Sequence, residues 1–125
     1  MEWNDQTCSF ETIKQSLIRF NDLRHWSQFH GPRNLAMAVS VEAAELLECF
    51  LWSLDDGSES VKKSREAIEA EAADVLISLL NFCCAAGIDI SAAAQRKIAE
   101  NAAKYPVELA RGNAKKHDQL KSHKP

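Results

Sequence analysis

Glu42 and Glu45 stand three residues apart, and so do Glu71 and Asp74. On a helix, residues at that spacing share one face, about 60° apart around the axis, so each pair points two acids into the same space. Such pairs are common on solvated faces, and their neighbours decide what they are for. From Ala70 to Ala86 every residue is apolar except Glu71, Asp74, Ser78 and Asn81. Their spacings of three, four and three confine them to an arc of roughly 80° on a helix otherwise apolar all round, which predicts a buried helix with an inward polar stripe. Glu42 and Glu45 sit likewise among Leu35, Met37, Val39, Val41, Leu46, Leu47, Phe50 and Leu51.

If these two helices pack side by side, four carboxylates share one pocket. Like charges confined in a partly desolvated space either take up protons or bind a cation. Oxygen-only ligands without His or Cys suit a hard ion, and Mg²⁺ binds through a few carboxylates together with waters and substrate phosphates. Helical di-iron sites use Glu-x-x-His pairs, and neither pair here has a His at the third step. Trp52 follows Glu45 by seven residues, hence on nearly the same helix face, which places an aromatic ring near the rim. Further on, Lys97, Asn101 and Lys104 recur at spacings of four and three, a stripe of cations and an amide suited to phosphate oxygens, although Lys on a helix face is more often simply solubilising.

Four helical segments are needed to position these groups. The first runs from about Ser9 to Trp26, where Phe10, Ile13, Leu17 and Phe20 make one apolar stripe. His30-Gly31-Pro32 breaks the pattern, and Pro32 opens a second helix running to about Leu54. Asp55-Asp56-Gly57-Ser58 is a loop, the third helix begins near Val61, and Gly87 ends it in the position where a left-handed residue is usual. Asp89 or Ser91 caps a fourth helix that reaches Tyr105, where Pro106 stops it. Short connections between four such helices predict an all-α bundle, and no alternating strand pattern supports a sheet.

Composition narrows the function. A chain of 125 residues, 46% hydrophobic and 26% charged, fits one helical domain, and disorder of the whole chain is excluded. The net charge is −3, yet the segment from Lys115 to Pro125 carries four Lys against one Asp, so the body before it is more acidic than the whole. An acidic body argues against a nucleic-acid platform. Residues 1–114 are read as the functional domain and 115–125 as a flexible basic tail. The most hydrophobic stretch, Leu35 to Leu54, contains Glu42, Glu45 and Glu48 and is not a membrane span. The N-terminus has neither the basic start nor the apolar core of a signal peptide, which predicts a cytoplasmic protein. Cys8, Cys49, Cys83 and Cys84 show no Cys-x-x-Cys spacing and read as small core hydrophobes.

Together these residues resemble the all-α MazG-type nucleotide pyrophosphohydrolases, and within them the dCTP pyrophosphatase branch. The family pattern Glu-x-x-Glu, a gap, then Glu-x-x-Asp matches Glu42, Glu45, Glu71 and Asp74. The run Trp26-Ser-Gln-Phe-His-Gly-Pro-Arg-Asn-Leu35 is similar to the segment preceding the first acidic pair in that branch. Lys97-x-x-x-Asn101-x-x-Lys104-Tyr105-Pro106, followed by Arg111-Gly112, resembles its C-terminal phosphate-binding stretch. The likeness runs from about Phe20 to His117, and only the combination of the three motifs is specific.

The resemblance implies a four-helix bundle-like protomer assembled as a dimer or a dimer of dimers, in keeping with apolar surface that one protomer cannot cover alone. It implies Mg²⁺-dependent cleavage of deoxynucleoside triphosphates to monophosphate and pyrophosphate, dCTP leading with dATP or modified deoxycytidine nucleotides behind. Glu42, Glu45, Glu71 and Asp74 would hold Mg²⁺ and help activate the attacking water. Lys97, Asn101, Lys104 and Arg111 would hold the phosphates, Tyr105 would join the substrate-binding residues, and Trp26 and Trp52 would flank the base. Where dCTP-preferring relatives often carry a Tyr four residues after the last acid, this chain has Ser78. Two rivals remain: a phosphoribosyl-ATP pyrophosphohydrolase on a similar acidic scaffold, and a non-catalytic helical interaction module whose acids pair with a partner's basic residues.

Overall fold

A computed structural model describes residues 2–120, and among these every regular element is helical, with no strand. The chain divides after Ile88 into two compact units. In the first, α1 spans Phe10–Leu23 and starts where the Ser9 hydroxyl accepts the Thr12 amide at 3.1 Å. It stops short of the expected Trp26 because the amides of Arg24 and Trp26 both turn back to the Asn21 carbonyl and His25 adopts a φ of 54°. A 3₁₀ turn, Ser27–Phe29, then leads to Gly31 and to α2, Pro32–Glu48, with Pro32 in the first turn as expected.

α2 ends earlier than the apolar run suggests. The amides of Cys49, Phe50 and Leu51 donate three residues back, to Leu46, Leu47 and Glu48, and Trp52 turns left-handed with a φ of 67°. The following loop is built by aspartates: Asp55 accepts from the Ser53 hydroxyl and from the Gly57 amide at 2.9 Å, and Asp56 from the Ser58 amide at 3.0 Å. These donors hold both carboxyls below the usual carboxylate range, the Ser53 hydroxyl first for Asp55 and Ser58 for Asp56.

The third expected helix arrives as two, α3 at Ser58–Lys63 and α4 at Arg65–Ala86, because Ser64 leaves helical geometry with φ −118° and ψ 32°. α4 ends at Gly87, φ 66°, as expected from sequence. It is the centre of this unit: α2 packs along it most extensively, and α1 and α3 pack against other parts of its surface. The Lys14 ammonium ties α1 to the end of α4 by donating to the Ile88 carbonyl at 2.8 Å.

Leu80 and Cys83 of α4 and Leu35 of α2 form the buried core. The expectation that α4 is buried all round is corrected here, because three neighbours cover only part of a helix's circumference, and Ala72, Ala73, Ile77, Ala85 and Ala86 remain exposed. Met37, Val41 and Leu47 of α2 also face outward. All four cysteines are free thiols, Cys83 buried and Cys8, Cys49 and Cys84 half-buried.

In the second unit, α5 spans Ile90–Lys104, and its first turn is capped by Asp89, which accepts the Ala92 amide at 3.0 Å. Pro106 stops it, and a single turn, α6 at Val107–Ala110, precedes a 3₁₀ turn at His117–Gln119. Of the expected basic tail, residues 121–125 lie outside the described residues.

Gly57 has φ 94°, and a Cβ there would meet the Phe50 ring at 2.9 Å. Gly57→Ala should therefore cost about 1 kcal/mol or more from the left-handed backbone and the clash together. The expected result is a melting temperature several degrees lower, since about 1 kcal/mol shifts a domain of this size by roughly 2–8 °C; an unchanged melting curve would show that the loop repacks freely.

Candidate active site

Glu42 and Glu45 come from the middle of α2, and Glu71 and Asp74 from the first half of α4. Both pairs follow from helical spacing, and the close packing of α2 on α4 is what makes them one group. One carboxylate oxygen from each of Glu42, Glu45 and Glu71 lies within 4.8 Å of the others. Glu42 and Glu71 are half-buried, and the Oε2 atom of each is shut off from solvent without a hydrogen-bond partner.

Water withdrawn from these groups raises their proton affinity. The Glu42 carboxyl is pushed above the usual carboxylate range first by desolvation, then by its close approach to the Glu45 carboxyl and by the charges of Glu45, Asp74 and Glu71. Glu71 is raised for the same leading reason, followed by the charges of Glu45 and Asp74. Among the described residues none of these three acids takes part in an ion pair, and orphaned acceptors at such short range are a donor set that a hard divalent cation could complete.

Asp74 lies outside that trio of oxygens, although its charge reaches Glu42 and Glu71. It instead lines an adjacent cavity of about 360 Å³ with Leu17, Phe20, Asn21, Trp26 and Asn81. Trp26 meets Phe20 edge to face, centroids 5.7 Å apart at 73°, and Arg24 lies over the other ring of the pair, 3.6 Å from the Phe20 centroid. Trp26 is held from behind by its own amide, which donates to the Asn21 carbonyl at 3.0 Å. An acid cluster beside an aromatic-walled cavity can place a polyanion on a metal and a flat ring in the cavity.

Other expected residues fall elsewhere. Trp52 is not on the Glu45 face, because α2 has already ended, and its ring is 93% exposed. Lys97, Asn101 and Lys104 form the expected stripe on α5, all exposed, with the Lys97 ammonium 3.1 Å from Glu100. Tyr105 packs edge to face on His117, centroids 6.1 Å apart, and Arg111 follows α6 in the same unit. Sequence reasoning passed over Asn21 and His30, which line the cavity. Asn21 carried a signal: it continues the Ile13–Leu17 stripe of α1 at the next helical step with a polar side chain.

The sequence profile of the MazG-like family matches residues 37–120. The chain is similar to dCTP pyrophosphatase 1 of Rattus norvegicus, 37% identical over 115 residues that cover 90% of this chain and 68% of the relative. The Homo sapiens protein of the same name is 35% identical over the same shares. In three dimensions the chain is similar to the crystal structure of a pyrophosphatase from Archaeoglobus fulgidus, with a TM-score of 0.76, 37% identity, and coverage of 84% of this chain and 99% of that one.

The raised carboxyls have a consequence for stability. An acid whose pKa is higher in the folded chain stabilises the fold while protonated, fully below its unfolded-chain value, and loses that contribution as pH rises through the raised folded value. In chelator, the melting temperature should accordingly fall as pH is taken upward from about 4.3, the unfolded Glu value. Glu71→Gln should flatten that fall, and parallel profiles for variant and wild type would mean that the cluster carries no such strain.

Proposed function

The chain belongs to the MazG-like family, and from that premise we propose that it is a Mg²⁺-dependent pyrophosphohydrolase of deoxynucleoside triphosphates, with dCTP-like nucleotides favoured. The observation that carries the reading is the pair of solvent-shielded, unpartnered oxygens on Glu42 and Glu71, gathered with Glu45 beside a cavity walled by Trp26 and Phe20. The names of the similar proteins support the substrate class. An interaction module would offer its acids to solvent rather than leave oxygens orphaned, and the dCTP pyrophosphatase names of the similar proteins favour a deoxynucleotide over the phosphoribosyl-ATP alternative.

Glu42, Glu45, Glu71 and Asp74 would hold the ion, and Mg²⁺ bound there would supply neutralisation of the triphosphate charge and a lowered pKa for a nearby water. Glu45 orients that water and accepts its proton as the oxygen attacks the α-phosphorus. The bond from the α-phosphorus to the bridging oxygen breaks, and pyrophosphate departs with the electron pair. Trp26 stacks on the base, and Trp52 closes over it from the exposed loop. On the family resemblance, Lys97, Asn101, Lys104 and Arg111 would hold the phosphates, and Tyr105 would be among the substrate-binding residues. Because phosphoryl transfer asks little covalent chemistry of the protein, positioning and electrostatics supply most of the rate.

The exposed apolar faces support a homo-oligomer, a tetramer built as a dimer of dimers, in which sites share residues between subunits. Met37, Val41 and Leu47, at 60%, 56% and 66% exposure, are costly to leave in water along one helix. No single helix among the described residues is long and apolar enough to cross a membrane. A cytoplasmic enzyme acting on free nucleotides, with no nucleic-acid or membrane partner, fits the acidic charge balance.

The deciding experiment is a panel of canonical and modified nucleotides with Mg²⁺, followed for pyrophosphate rather than orthophosphate. Pyrophosphate from dCTP is expected, and orthophosphate alone would overturn the reading. Asp74→Asn should lower metal affinity and turnover together, whereas Trp26→Ala should chiefly raise KM, by about 10- to 100-fold for a lost stack of roughly 1–3 kcal/mol. Light scattering at micromolar concentration should give a mass of several chains, and a strict monomer would remove the oligomer.

A further inference from the structure

Asn21 and Asn81 meet across the interface of α1 and α4, where the Asn21 Nδ2 donates to the Asn81 Oδ1 at 3.1 Å. Asn21 is 8% exposed and Asn81 half-buried. Each primary amide offers two N–H donors and two acceptor lone pairs. The bond between them uses one donor of Asn21 and one lone pair of Asn81, and among the described residues the two side chains make no other hydrogen bond. The carbonyl of Asn21 and the NH₂ of Asn81 are therefore left over.

An amide pair that only joins two helices would sit in dry packing with its remaining valences satisfied, because unmade hydrogen bonds are costly out of water. This pair instead borders open space on two sides. Both residues line the cavity that holds Trp26 and Asp74, and both also line a second cavity of about 350 Å³ behind it, with Ile18, Pro32, Cys84 and Ala85. The Asn21 backbone is held by α1 and by the Trp26 amide on its main-chain carbonyl, and its side chain by Asn81. The aromatic wall and the polar edge are thus set by the same residue.

We infer that the Asn21–Asn81 amide pair is the specificity-determining edge of the nucleobase cavity, reading an aminopyrimidine through one acceptor and one donor. This rests on the nucleotide reading proposed above. The ring nitrogen N3 of cytosine accepts from the free NH₂ of Asn81, and its exocyclic N4–H donates to the free carbonyl of Asn21. Thymine presents the opposite order, an N3–H and an O4 acceptor, and meets donor with donor and acceptor with acceptor. The mutual hydrogen bond stops either amide from turning over alone, since a flip of one would set two like groups against each other, so the pair changes its order only if both amides turn together.

Asn81→Asp tests this with little change of shape. The carboxylate still accepts from Asn21 but puts an acceptor where the donor was. The ratio of kcat/KM for dCTP over dTTP should fall at least about tenfold, through KM rather than kcat, as expected where a hydrogen-bonding site loses its match. Asn81→Leu, which removes the polar edge without adding charge, should bring the two nucleotides closer together. Circular dichroism melting identifies which variants fold.

A merely structural pair would alter stability and leave the ratio at its wild-type value in both variants, and that result overturns the inference. Calorimetric titration of dCMP and dTMP separates the two readings. If the wild type releases no pyrophosphate from any nucleotide, the proposed activity fails. Equal affinity of the wild type for the two monophosphates, or affinity for neither, sinks the amide pair.

Discussion

The first unit is organised around a repulsion. Packing α2 on α4 buries Leu35 and Leu80, and the same packing forces Glu42, Glu45 and Glu71 together until two of their oxygens have neither water nor a donor. At oxygen separations under 5 Å, with water partly excluded, like charges cost several times what they would in bulk solvent. Helix packing must outweigh that cost, which shows as the raised proton affinity of Glu42 and Glu71. Under the proposed function, strain of this kind, held against the hydrophobic contacts beside it, would be relieved by a bound cation.

The helices that hold the acids are rigid where they need to be. Glu42 lies inside α2, Glu45 opens its last turn, and α4, the longest helix among the described residues, carries its pair in its first half. The less regular features gather at the ends of these helices: the left-handed Trp52, the aspartate-built loop before α3, and the break at Ser64. A site placed on helix interiors keeps its geometry while the loop beyond it remains free to take another course.

Periodicity made the acid cluster legible. A stripe of Glu71, Asp74, Ser78 and Asn81 on an apolar helix has no reason to exist unless something polar lies opposite, and Asn81 does find Asn21 there. The helix starts were readable for the same local reason, through Ser9, Pro32 and Asp89. What could not be read was where α2 stops. No Gly or Pro marks Glu48, and the tightening to three-residue hydrogen bonds that removes Trp52 from the Glu45 face leaves the apolar pattern intact to Leu54. The exposure of α4 was equally hidden, since an all-apolar surface signals burial without saying whether its own chain or another copy supplies it.

That ambiguity bears on the division of labour in the site. Asp74 lines the cavity and its charge reaches Glu42 and Glu71, so under the proposed function a base seated against Trp26 would lie beside a charge that the acid cluster feels. On the same reading, a base that fits the Asn21–Asn81 edge would bring its triphosphate to the acids in one register. A base that does not fit must sit shallower or tilted, and a misplacement on the order of 1 Å at the α-phosphorus is worth about a hundredfold in rate. Discrimination in such a site need not come from affinity alone, because a hydrogen-bonded amide pair on one side of Asp74 and a crowded carboxylate trio on the other would convert a misfit in the base into a misalignment of the reacting atoms.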